Sequence, residues 1–108
     1  MADERMELDF AKGGGLIPAI IQDADTGEVL TLFYMDEEAV RKTLEEKLVW
    51  RFSRAENKLM RKGDSSGHVQ HVDSVATDCD SDALVVRVHP VGPACHTGER
   101  TCFHNPLT

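Results

Sequence analysis

In TDCDSDALVV, three aspartates, Asp78, Asp80 and Asp82, stand on alternate residues around the thiol of Cys79. Like charges so close repel, and each carboxyl favours its neutral form unless a cation intervenes. A hard divalent ion relieves that repulsion through oxygen ligands, and Mg2+ suits a substrate that carries phosphate. Read as the mouth of a strand, the run sets the aspartates on one face and Cys79 with Ser81 on the other. A soft thiolate facing away would serve a different ion, zinc first. The plainer alternative is a solvated acidic turn with a buried cysteine. An EF-hand loop is excluded, because its glycine and glutamate positions hold Ala83 and His89.

Cys95, His96 and Cys102 follow in GPACHTGERTCF. The chain has 3 cysteines, an odd count that disfavours a disulfide framework, and no C-x-x-C spacing. Three thiolates would leave zinc an open position, where the pKa of a water falls to about 7. His96 adjoins a candidate ligand and titrates near neutrality, which suits it to move a proton. Three unrelated thiols, or a closed and non-catalytic zinc module, remain the alternatives. A Cys95–His96 nucleophilic pair is disfavoured, since neighbours on an extended chain point apart. A nucleobase deaminase would need H-x-E with P-C-x-x-C, and neither occurs.

The segment RFSRAENKLMRK carries Arg51, Arg54, Lys58, Arg61 and Lys62, and KGDSSGH adds Ser65, Ser66 and His68. Arginine forks grip phosphate oxygens in pairs, and glycine lets backbone N–H groups approach an anion. A small phosphorylated substrate fits this patch, as does a basic hairpin that only balances nearby acids. The net charge of −7 disfavours a general nucleic-acid or anionic-membrane surface. No apolar run reaches membrane-spanning length, and the first residues lack a signal-peptide pattern, so a cytoplasmic location is expected. His68, His71, His89 and His104 are further candidates for proton transfer.

These groups need a scaffold, and 108 residues with 41% hydrophobic content predict one domain. Residues 1–13 read as a flexible lead-in ending at a glycine cluster. Residues 16–22 and 28–34 predict a hairpin around the turn chemistry of Asp25, Thr26 and Gly27. A helix capped by Asp36 follows, with Val40 and Leu44 on its inner face. Residues 48–53, 69–76 and 83–88 predict further strands, and 54–68 a loop or loose hairpin. Gly92, Pro93 and Gly98 mark an irregular tail. The sum is an α+β fold, a small and mostly antiparallel sheet with one main helix.

Taken together, LTLFYMDEEAVRKTL, WRFSRAENKLMRKGDSSGHVQ, DCDSDALVVRV and GPACHTGERTCF resemble the motifs of the phosphoribosyl-AMP cyclohydrolases of histidine biosynthesis, over roughly residues 14–103. Met60, Asp64 and Ala55 depart from the usual tryptophan, glutamate and serine. The resemblance implies a zinc- and magnesium-dependent hydrolase that works as a homodimer. It implies a zinc shared between subunits, with Cys79 from one and Cys95 and Cys102 from the other, and magnesium on Asp78, Asp80 and Asp82. It further implies His96 as the catalytic base and a substrate held by the region of Arg51, Arg54, Lys62, Ser65, Ser66 and His68. The implied reaction opens the adenine ring of 1-(5-phosphoribosyl)-AMP by attack of zinc-bound hydroxide.

Overall fold

The computed structural model describes residues 7–108, so the first part of the expected lead-in lies outside the described residues. Strands β1 (Ile17–Asp23) and β2 (Val29–Met35) form the expected antiparallel hairpin. Asp23 Oδ1 organises its turn by accepting from the backbone N–H groups of Asp25 (2.8 Å) and Thr26 (3.2 Å). Helix α1 (Glu37–Glu46) begins at Asp36, whose side chain accepts from the Ala39 N–H at 2.8 Å. It buries Ala39, Val40 and Thr43. The Thr43 hydroxyl accepts from the Trp50 N–H at 3.0 Å and so ties the helix to β3 (Trp50–Ser53).

β3 pairs antiparallel with β4 (Lys58–Arg61), which makes the 54–68 stretch a hairpin followed by a tight loop. Gly63 is required in that loop. It sits at φ +83, and a Cβ there would lie 2.5 Å from the backbone of His68 and Val69. β5 (Gln70–Thr77) and β6 (Leu84–Pro90) complete the set.

The main sheet runs β2-β1-β6-β5, with β3-β4 as a separate ribbon. Its β2/β1 and β6/β5 pairs are antiparallel, as expected for most of the sheet. The central β1/β6 pair is parallel, with Ala19 opposite Leu84 and Asp23 opposite Val88. Parallel neighbours need a long crossover, and here everything from β2 to β5 forms it. Ile17, Ala19 and Ile21 of β1 and Leu84, Val86 and Val88 of β6 supply the centre of the core.

The described part of the lead-in is anchored rather than loose. Leu8 and Phe10 pack against the core, the Asp9 N–H donates to Ser81 O at 2.7 Å, and Ala11–Gly13 forms a 3-10 turn. Two apolar side chains in a polar stretch are enough to dock it.

The Asp36 cap predicts that Asp36→Ala costs about 1 kcal/mol of unfolding free energy in urea titration, with the denaturant slope unchanged.

Candidate active site

The strand reading of the acidic run is corrected by the structure. Residues 78–83 are the loop that joins β5 to β6. The Asp78 N–H donates to Ala83 O at 3.1 Å, and Ser81 takes φ 61. Asp78 Oδ1 accepts from the N–H groups of Asp82 (3.0 Å) and Ala83 (3.3 Å). Aspartate stabilises such turns through its own carboxylate, and this competes with strand pairing. The carboxylates meet all the same: Asp78, Asp80 and Asp82 each offer an oxygen within 4.8 Å of the others.

A cation already sits on them. Lys12 Nζ lies 2.8 Å from Asp82 Oδ2 and 3.3 Å from Asp80 Oδ2. Its ammonium is held well above the usual lysine range by Asp82 first and Asp80 second. Asp82 is held at about 2 by Lys12 first, then by hydrogen bonds from Asp78 and Asp80. Asp78 moves the other way, raised first by lost hydration and then by its hydrogen bond with Asp82. The sequence reading missed Lys12. The docking of Leu8 and Phe10, the only signal for its position, appears in no motif.

The cysteine pair lies in the tail. Cys95 is 8% exposed, in a tight turn where its N–H donates to Glu99 O and its carbonyl accepts from Gly98. The Cys102 N–H donates to Leu30 O at 2.7 Å and pins the tail to β2. The Thr97 hydroxyl donates to Cys95 Sγ at 3.1 Å, and His104 Nε2 lies 3.8 Å from the same sulfur. Thr97, by side chain and then backbone, brings the Cys95 thiol down to about 6, and His104 and Cys102 add to this. Cys102 is raised, first by burial. Thr97 and His104 are further site residues that spacing alone did not single out for the sulfur.

Lys62 links this pair to the basic segment. It is half-buried, and burial lowers its pKa; Cys102 and Cys95 pull it up while Arg51 pushes it down. Its Nζ donates to His68 O at 3.4 Å. The His68 N–H donates to Ser66 Oγ at 3.1 Å, while Ser65 and Arg54 are exposed. His96 is exposed beside Cys95. His89 is committed elsewhere, between Asp25 and Asp73 at 3.3 Å each.

Cys79 does not join Cys95 and Cys102 within one chain. Among the described residues, the aspartate trio is the one group of potential ligands that converges. Topology gives the reason. Cys79 precedes β6 and Cys95 follows it, and seven strand residues span roughly 20 Å.

The model of the phosphoribosyl-AMP cyclohydrolase family matches residues 31–104. The chain belongs to the phosphoribosyl-AMP cyclohydrolase family. That family consists of hydrolases, and relatives bearing its name align along most of the chain. The one from Bacillus cereus (strain AH820) is 57% identical over 99 residues, covering 92% of this chain and 96% of its own. The one from Streptococcus mutans is 53% identical over 102 residues, covering 94% of each. An archaeal relative, from Nitrosopumilus maritimus, is 52% identical over 101 residues, again covering 94% of each. The three cysteines and three aspartates lie inside the family match, whereas Lys12 lies outside it. Among the described residues no helix is long and apolar enough to cross a membrane.

Two outcomes are expected. A divalent ion on the aspartates has to displace the Lys12 ammonium, so Lys12→Met should tighten Mn2+ binding up to about fivefold by calorimetry. In metal-stripped protein, ultraviolet thiolate absorbance should show one thiol titrating near pH 6, and Cys95→Ser should remove that step.

Proposed function

We propose that this chain hydrolyses 1-(5-phosphoribosyl)-AMP at the N1–C6 bond of its adenine ring, giving the formimino imidazole-carboxamide ribotide, the third step of histidine biosynthesis. Family membership supplies the reaction class. The observation that carries the chemistry is the Cys95–Cys102 pair, whose Cys95 sulfur accepts from the Thr97 hydroxyl at 3.1 Å and lies 3.8 Å from His104 Nε2, contacts that bring its thiol down to about 6.

A zinc ion and a magnesium ion fit the groups present. Zinc suits Cys95 and Cys102, because a lowered thiol pKa is what a soft ion needs from its ligand. Two protein ligands are fewer than zinc sites use, and Cys79 lies too far along its own chain. A homodimer resolves this, with Cys79 supplied by a second copy. Magnesium suits the aspartates, where the Lys12 ammonium marks a place that a cation can occupy. When bound, zinc makes water acidic enough to act as a nucleophile at neutral pH.

The chain's own groups do the rest. Substitution at N1 makes the purine cationic and its C6 electron-poor. Water adds to C6, and His96 takes its proton as general base. The N1–C6 bond then breaks with its electron pair going to N1, and the ring opens. Arg51, Arg54 and Lys62 bind the phosphate groups as cations, while Ser65, Ser66 and His68 donate hydrogen bonds. A magnesium ion held by Asp78, Asp80 and Asp82 would supply further positive charge for a substrate phosphate. The acidic balance of the chain keeps that recognition local.

The test is an absorbance assay of ring opening. The purified protein should turn over 1-(5-phosphoribosyl)-AMP without releasing ammonia, lose activity to a zinc chelator, and regain it with zinc. Absence of turnover in zinc-loaded protein overturns the reading. Cys79→Ser, Cys95→Ser and Cys102→Ser should each abolish both activity and zinc retention. Mixing Cys79→Ser with Cys102→Ser chains should restore part of the activity, because one site of the mixed dimer regains all its thiols. No gain over the single variants would rule out a shared ion.

A further inference from the structure

His104 turns its ring onto a sulfur, with Nε2 3.8 Å from Cys95 Sγ. A thiolate about 2.3 Å and an imidazole nitrogen about 2.0 Å from one tetrahedral zinc lie roughly 3.5 Å apart. The Cys95–His104 separation is therefore close to that of two ligands on one ion. His96, in contrast, is exposed.

The tail explains the approach. The Cys102 N–H donates to Leu30 O at 2.7 Å, and the Thr101 hydroxyl donates to the same carbonyl at 3.0 Å. The Phe103 N–H returns to Thr101 Oγ1 at 3.0 Å and fixes the next residues. Burial then alternates: Cys102 and His104 are half-buried, and Phe103 between them is 63% exposed. Alternation is the mark of a stretch whose every second side chain faces one way. Cys102 hydrogen-bonds the Cys95 sulfur, so Cys95 is the neighbour that Cys102 and His104 share. The three groups do not converge as the aspartates do. To share an ion with Cys102, the His104 side chain has to rotate about its own bonds. Residues 105–108 are exposed, so it can do this without unpacking the core.

Three thiols leave zinc one short of its usual four ligands, and imidazole is the commonest side chain to bind a metal. We propose that His104 Nε2 is a displaceable fourth ligand, filling in the resting protein the position that water takes for the reaction. This rests on the zinc reading above for the ion and on the Cys95–His104 contact for the ligand. The exchange is neutral: the imidazole leaves with its lone pair, and a water molecule replaces it.

NMR of the protein loaded with spin-active cadmium and labelled with heavy nitrogen at histidine reads the bond without turnover. The wild type should show a through-bond cadmium–nitrogen coupling to a single histidine. His104→Ala should lack that coupling and keep the cadmium, with affinity lowered about tenfold or more. In cobalt-loaded protein, His104→Ala should bind thiocyanate at least about tenfold more tightly than the wild type, because no imidazole has to leave first. Cadmium held by the wild type with no histidine coupling, or with one that survives in His104→Ala, strikes His104 and leaves the zinc reading standing. Failure of the wild type to hold cadmium overturns both.

Discussion

The parallel pairing of β1 with β6 is the constraint on which the rest depends. Because the two strands run the same way, the residues before each of them meet at one end of the sheet, and those after each meet at the other. Lys12 precedes β1 and the aspartates precede β6, so the ammonium reaches the carboxylates across a sequence separation of 70 residues. At the opposite end, the tail after β6 folds back on the start of β2, where Cys102 bonds Leu30. The strength of this pair is the buried apolar run on both strands, from Ile17 to Ile21 and from Leu84 to Val88. A change that loosened it would separate both sets of groups at once.

The same constraint separates two kinds of chemistry. Hard oxygen ligands collect at one end, and soft sulfur at the other. Within each end the local environment sets the charge state. Lys12 keeps Asp82 ionised, and Thr97 makes Cys95 the more acidic of two neighbouring thiols. Cys102, raised first by lost hydration, keeps its proton longer. Such opposed shifts in adjacent groups are typical of sites built to bind an ion or transfer a proton. Cys79 stays at the oxygen end, apart from the other two thiols.

Much of this was legible in the residues. The hairpin, the capped helix and the later strands follow from turn residues, an N-cap aspartate and short apolar runs, all local signals. The motifs carried the family and the candidate ligands. The acidic run was misjudged as a strand because alternation is the strand period, whereas Asp78 satisfies its loop through its own carboxylate. In residues 7–13, the described part of the lead-in, composition averages over Leu8 and Phe10, whose packing depends on a surface formed elsewhere.

By itself the sequence determined the chemical inventory: the thiols, the carboxylates, the cations and the local elements that bear them. Those depend on residue type and on spacing within a few positions. Only the tertiary structure decided which groups share a neighbourhood. It set Lys12 on Asp80 and Asp82 and Thr97 on Cys95, and it kept Cys79 from Cys95. The reason is that strand order and strand direction arise from which apolar faces bury together, a choice made over the whole chain that no single window of residues contains.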